Sequence, residues 1–266
     1  MSESEKIEIT KIREDATERM SDFVAREEPL EIRVEGRSIA VVMRTPGCDE
    51  ELTAGFLLSE GVIHKAADVF EIAQCPAEDN TGNVINAQLT DPESVNWDSL
   101  TRHVFSSSSC GICGKATIES VLGCSSQITD DTKVSAGLIS SLPDKLRAVQ
   151  ETFDKTGGLH ASAIFNAAGD LLFHREDVGR HNALDKVIGH ALLSKKLPLS
   201  GHMLLLSGRI SFELMQKAQA AGIAIIAGIS APSSLAVDFA KDSGQTLIGF
   251  LRGKSMNVYA GEQRVS

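Results

Sequence analysis

Apolar and polar residues alternate along residues 30–43, through Ile32, Val34, Ile39 and Val41, and Glu35-Gly36 interrupts the run at its middle. A period of two with a turn pair at the centre predicts a β-hairpin. Pro46-Gly47 ends it. Asp49 then stands as the cap of a helix over 50–59, with Leu52, Phe56 and Leu57 on one face and Gly61 as its stop. Strands are expected over 69–74 and 84–89, joined by a polar turn at 78–82. Residues 1–28 are rich in charge and read as a frayed arm or an edge strand.

The second half changes rhythm. Pro143 suits the first turn of a helix, where its missing N–H costs nothing, and Leu146, Val149 and Phe153 form the apolar stripe up to Gly157-Gly158. Short apolar strands follow at 160–165, 171–174, 203–206, 223–226, 246–251 and 256–259, alternating with amphipathic helices at 182–193, 212–221 and 232–241. This rhythm predicts a layered α/β domain with a largely parallel sheet. The expected organisation is a small N-terminal α+β domain at 1–104, a flexible arm and linker at 105–130, and a C-terminal α/β domain at 131–266.

Composition narrows the setting. The chain has 266 residues, is 42% hydrophobic and carries a formal net charge of −10. That balance argues against general binding to nucleic acid or to a membrane surface, while leaving room for an anionic ligand wherever basic residues gather. The five cysteines, Cys48, Cys75, Cys110, Cys113 and Cys124, are odd in number and unevenly spaced. With no secretory pattern at the N-terminus and no long apolar run, the expectation is a soluble protein of the reducing cytoplasm.

Two places carry candidate chemistry. In the first, four serines (Ser106, Ser107, Ser108 and Ser109) precede Cys110 and Cys113, and Ala116, Thr117, Ile118 and Glu119 open a helix behind them. A polar arm that presents two thiols at a helix N-terminus favours the thiolate, and Lys115 adds a positive charge. Plain buried thiols, half of a zinc site and a thioredoxin-like redox pair are the alternatives. Flanking serines and glycines, the lack of a second ligand pair and the lack of a preceding strand count against them in turn. The second place is the set of loops outside the strand ends of the α/β domain, where such sheets bind ligands. Arg175, Glu176, Asp177, Gly179, Arg180, His181 and Asn182 form a dense polar run between an apolar strand and an apolar helix, open to a ligand role or an internal ion-pair network. Ser207, Gly208 and Arg209 resemble a phosphate-cradling turn. Arg252 and Lys254 would join Arg175, Arg180, Lys186 and Arg209 in a basic cluster suited to a phosphorylated ligand, and His160 is a further candidate at the head of its strand.

Taken together, the motifs resemble the FdhD family of formate dehydrogenase accessory sulfurtransferases, or sulfur carriers. The matching runs are TPG ending at Gly47, GFLLSEGVI at 55–63, SSCGICGK at 108–115, GGLHASA at 157–163, REDVGRHNALDK at 175–186, SGRISFE at 207–213 and GFLRGKSMNVY at 249–259. The resemblance implies a protein that takes sulfur from a cysteine desulfurase as a cysteine persulfide. It then passes the sulfur to the molybdenum of the bis-molybdopterin guanine dinucleotide cofactor, which a guanine nucleotide such as GDP would mimic, for formate dehydrogenase. By position, Cys110 is the persulfide cysteine and Cys113 its partner or second carrier. Phe250, Leu251, Arg252, Gly253, Lys254 and Ser255 correspond to the cofactor-binding segment. The resemblance further implies a cytidine-deaminase-like, three-layer second domain and a homodimer. Deaminase zinc chemistry needs His-x-Glu and Pro-Cys-x-x-Cys. The chain offers His160-Ala161-Ser162 and Ser207-Gly208-Arg209 instead, so no zinc is expected. A cofactor-binding chaperone without sulfur transfer and a dithiol oxidoreductase are the rival readings.

Overall fold

The computed structural model describes residues 2–75, 82–97 and 127–266. Cys110, Cys113 and the arm leading into them lie outside the described residues. Strands β1 (Ser4–Arg13) and β2 (Ala16–Ala25) form an antiparallel ladder closed by the turn at Glu14-Asp15. The segment expected as a frayed arm or an edge strand is therefore strand, paired into a regular hairpin. Its charges had hidden the strand period carried by Ile7, Ile9 and Met20. Strands β3 (Glu28–Val34) and β4 (Arg37–Arg44) form the hairpin expected at Glu35-Gly36, and both turn residues have positive φ (49° and 75°), as a two-residue turn of matching twist requires. With β5 (Val69–Gln74) and β6 (Val84–Leu89) they build a sheet in the order β4-β3-β6-β5.

Helix α1 (Asp49–Ser59) packs on this sheet. Its cap is Cys48, in a left-handed conformation, rather than Asp49. The Asp49 carboxylate turns instead to the fully buried Arg44 guanidinium, accepting from Nε (2.9 Å) and from an Nη (3.0 Å). A buried charge demands a partner more strongly than a helix start demands a cap.

The second sheet holds β7 (His160–Asn166), β8 (Leu171–Asp177), β9 (His202–Leu206), β10 (Ile225–Gly228), β11 (Thr246–Arg252) and β12 (Ser255–Ala260), in the order β12-β11-β10-β9-β7-β8. Only the β9–β10 and β10–β11 pairs are parallel, so the sheet is mixed rather than largely parallel. The tight turns that follow β7 and β11 force antiparallel returns, because parallel strands need a longer crossover.

Helix α2 (Ala136–Arg147) covers one face of this sheet. Helices α4 (Arg180–Leu193), α5 (Phe212–Ala220) and α6 (Ser234–Ser243) cover the other, and short α3 (Glu151–Thr156) follows α2 in the chain. The pleat sorts the core. Ala161, Ala163 and Phe165 face α2 with Met203 and Leu205, whereas Ile164, Leu204 and Leu206 face α4 and α5. Pro143 lies inside α2, not at its start. The helix begins about two turns earlier, where Ser135 Oγ accepts from Leu138 N. Burial of Ile139, Leu142 and Leu146 offsets the hydrogen bond that the proline removes. Among the described residues no helix is long and apolar enough to cross a membrane.

The two sheets meet through α1 and α4. A Cβ on Gly55 would lie 1.9 Å from the Asp185 carbonyl oxygen, and one on Gly189 would lie 1.8 Å from that of Glu51. The helices cross at backbone contact, and one apolar cluster runs from Leu30 and Ile85 through Leu57 to Leu184 and Ile188. Gly55→Ala and Gly189→Ala should each destabilise the protein by about 3 kcal/mol or more, because backbone cannot yield as a side chain would. Gly137→Ala, in open space within α2, should be neutral or stabilising by up to about 1 kcal/mol. Denaturant unfolding of the three variants checks this contrast.

Candidate functional site

Strands β9, β10 and β11 end at the sheet edge where antiparallel β7 begins, and three loops are stitched together there. Ser207 Oγ accepts from Ala161 N (2.8 Å), while Ser207 N donates to Ala161 O (3.0 Å). The loop after β9 joins the loop after β10 through Ile210 N to Ala231 O (3.1 Å) and Ser233 N to Ile210 O (2.9 Å). Phe250 N, on β11, donates to Ser230 O (3.1 Å). Gly208 passes over His160, where a Cβ would sit 3.0 Å from the imidazole Nδ1 and 3.8 Å from the Arg180 Cβ. Only a residue without a side chain allows that approach.

Two helices start in this place. Neither α4, with Gly179 as its N-cap, nor α5, with Ser211, has a side-chain cap, so first-turn N–H groups of both remain available. His181, in the first turn of α4, joins them. Its Nε2 lies 2.9 Å from Glu213 Oε2 and 3.3 Å from Ser211 Oγ, both of α5 or its cap. Burial favours the protonated form of Glu213, but the His181 hydrogen bond and charge outweigh it and hold the carboxyl below its ordinary range. His160 goes the other way. Burial, and then the positive charge of Arg180, pull its pKa below the usual imidazole value, which keeps it neutral at neutral pH.

Among the described residues four buried side-chain atoms have no hydrogen-bond partner: Arg26 Nε, Ser162 Oγ, Arg180 Nε and Glu213 Oε1. The last three belong to this region, with Ser162 two residues along β7 from His160 and on the same face. Such atoms cost about 1–3 kcal/mol each unless a water or a ligand satisfies them, which makes this end of the sheet the candidate site. Two uncapped helix starts with the Arg180 and Arg209 guanidinium groups suit an anion, phosphate above all. Among the described residues no group of three or more His, Cys, Asp or Glu side chains is placed to hold a metal ion.

The structure brings His160, Arg180, His181, Ser207, Gly208 and Arg209 together. Phe250, Leu251, Arg252, Gly253, Lys254 and Ser255 form the β11–β12 turn at the same sheet end. Phe250 (φ 51°), Arg252 and Lys254 are exposed there, and Leu251 is buried against α2. Other expected members do different work. Arg175 and Asp177 lie within β8, not in a loop. Arg175 is bonded through Nε and an Nη to the two oxygens of Glu51. Asp177, fully buried, pairs with Lys186 (2.7 Å) and accepts from Thr45 N, Gly179 N and Asn182 Nδ2. Asn182 also donates to Met43 O (2.7 Å). Arg175 and Lys186 therefore supply no free charge to a basic cluster. Ser162, Ser211 and Glu213 were missed, although a glutamate in the first turn of an apolar helix was a visible signal. Cys48 is exposed, yet partial desolvation and then the Glu51 charge push its thiol up from its ordinary value.

The Glu51 pair gives a pH-dependent prediction. Burial raises the Glu51 carboxyl, but hydrogen bonds from Arg175 and His190 bring it below its ordinary value of 4.5. A depressed carboxylate contributes stability above the unfolded pKa and loses it as the pH falls through the folded one. Glu51→Gln should thus lower the melting temperature near pH 7, and the gap from wild type should close below about pH 4. Thermal melts across pH check it.

Comparison with known proteins places this architecture. A family model described as FdhD/NarQ matches residues 25–266. A sulfur carrier protein FdhD of Streptomyces avermitilis is 51% identical, covering 99% of this chain and 96% of that protein. One of the same name from Saccharolobus solfataricus is 45% identical over 98% and 97%. The crystal structure of a Desulfotalea psychrophila protein described as a formate dehydrogenase accessory protein superposes with a TM-score of 0.81 at 27% identity, over 100% of both chains. Matched nearly end to end by relatives from bacteria and archaea, the chain belongs to the FdhD/NarQ family.

Proposed function

We propose that this chain is a sulfur carrier for formate dehydrogenase maturation. It accepts sulfur from a cysteine desulfurase as a persulfide on Cys110, with Cys113 as partner or second carrier. It delivers that sulfur to the molybdenum of bis-molybdopterin guanine dinucleotide, the bound substrate. The observation that carries the reading is the pair of uncapped helix starts at α4 and α5 flanked by Arg180 and Arg209, in a chain whose near-full-length relatives are named sulfur carriers.

In the loading step the Cys110 thiolate attacks the outer sulfur of the donor's persulfide. A new S–S bond forms on Cys110, the donor S–S bond breaks, and the donor cysteine leaves as a thiolate. Only the ionised thiol does this at a useful rate, and the helix start that the sequence predicts behind the thiols, with Lys115, favours ionisation. The helix starts, Arg180 and Arg209 would hold the phosphates of the cofactor's nucleotide ends, with the exposed Arg252 and Lys254 beside them. His160, neutral, would act as a hydrogen-bonding group, and Gly208 would let the ligand approach backbone. The protein would work as a homodimer in the cytoplasm.

Incubation with a cysteine desulfurase and cysteine should add sulfur to the wild-type chain by intact-mass analysis, and Cys110→Ala should lose the adduct. Guanosine diphosphate should bind both proteins alike, and Arg209→Ala about tenfold or more weakly by calorimetry. A full adduct on Cys110→Ala would end the persulfide assignment. Unchanged formate dehydrogenase maturation by Cys110→Ala would favour a cofactor chaperone instead.

A further inference from the structure

The β1–β2 hairpin is the least supported element of the fold. None of its twenty residues is buried, and the two strands pair with no other strand among the described residues. Ile12 is 76% exposed, Phe23 42% and Val24 39%. Its ties to the body lie at the base: Glu3 to Thr152, Arg26 to Glu5, and Ala25 against Gly158. An isolated two-stranded hairpin is marginal in water. Natural edge strands are usually kept short or broken by proline or a bulge. Here each strand runs ten residues with no bulge and no proline; β2 lies against α3, and β1 has an outer edge that is a regular row of backbone donors and acceptors.

The sequence of β1 says what fits that edge. A second copy related by a two-fold axis perpendicular to the sheet keeps the two faces of the hairpin matched, so each residue must meet one of its own parity. With the axis on Ile7, that residue meets itself and Lys6 meets Glu8 on both sides of the axis. Glu5 then meets Ile9, Ser4 meets Thr10, and Glu3 meets Lys11. Opposite charges face one another four times and like charges never. Moving the axis by one residue to Lys6 or Glu8 sets two like charges against each other at the centre. Ile7 and Ile9 share a face with Met20 and Val24, so the four-stranded sheet that results carries an apolar strip across the axis.

We propose that β1 is the self-pairing edge of this protein: two copies join antiparallel about Ile7 into a continuous four-stranded sheet, with Lys6 of one copy opposite Glu8 of its partner. This rests on the homodimer reading given above and adds the surface and the register. Sedimentation equilibrium on the full chain tests it. The wild type should be dimeric at micromolar concentration. Lys6→Glu and Glu8→Lys should each weaken the dimer about tenfold, since each replaces two attractive cross-strand pairs with two repulsive ones. The double variant K6E/E8K should recover to within about threefold of wild type. Ile7→Lys, which opposes two ammonium groups on the axis, should dissociate the dimer and still unfold cooperatively, at a melting temperature that no longer depends on concentration, because no hairpin residue lies in the core. A monomeric wild type would overturn both the surface and the homodimer. A dimer that is indifferent to the single charge changes, or a double variant no better than either single, would overturn the surface and leave the homodimer standing.

Discussion

The close crossing of α1 and α4 governs this structure. Two glycines, Gly55 and Gly189, let the helices touch through their backbones, nearer than the 8–10 Å between axes that side chains normally impose. At that distance long polar side chains at the flanks of the crossing reach across it. Glu51 of α1 meets Arg175 of β8 and His190 of α4. Asp185 of α4 meets Ser59 of α1 (3.0 Å) and Lys217 of α5 (2.8 Å). These groups are too buried to be left single. Removing one partner strands the other's charge, which costs far more than the pair contributes when intact. The polar seam therefore fixes how the two sheets face each other more than it adds stability.

The same seam sets the ligand site. Asp177 ends β8 and at once takes hydrogen bonds from Gly179 N and Asn182 Nδ2, while Lys186, a turn and a half further on, closes the ion pair from within α4. Thr45 N and Thr45 O bind Asp177 and Lys186 respectively, so the β4–α1 connection is locked to the same point. The first turn of α4 has no freedom left, and Arg180 and His181 inherit a fixed direction. His181 then finds Glu213, which positions the start of α5. Residues that face away from the candidate site thus determine where Arg180 and His181 stand, and the site keeps its shape without a side-chain cap on either helix.

Much of the fold was legible from the chain. The hairpin at Glu35-Gly36, β5 and β6, the strand–helix alternation after residue 160 and the apolar stripe of α4 follow from period and turn chemistry alone. Two failures have physical reasons. Pro143 is a strong helix-start signal, but the buried stripe of Ile139, Leu142 and Leu146 outweighs one lost hydrogen bond. Strand direction is a matter of loop length and of which neighbour is found, and a run of apolar strands looks the same whether its sheet is parallel or mixed.

The candidate site was legible in its chemistry and not in its grouping. By sequence, Arg175 to Asn182 form one polar run, and Arg175, Arg180 and Lys186 join Arg209, Arg252 and Lys254 in one basic cluster. Once β8 is extended to Asp177, the pleat separates them. Phe173, Arg175 and Asp177 share the face toward α1 and α4, while Glu176 turns to the other side and accepts from Phe153 N and Gln150. Each cation on the inner face is met by an acid, and the partner of Arg175 lies more than a hundred residues away. Of the expected cations, only those at or beyond the strand ends, Arg180, Arg209, Arg252 and Lys254, stay out of these pairs. In a chain of net charge −10, the candidate anion site rests on that remainder, because cations already paired in the interior add little to the field outside.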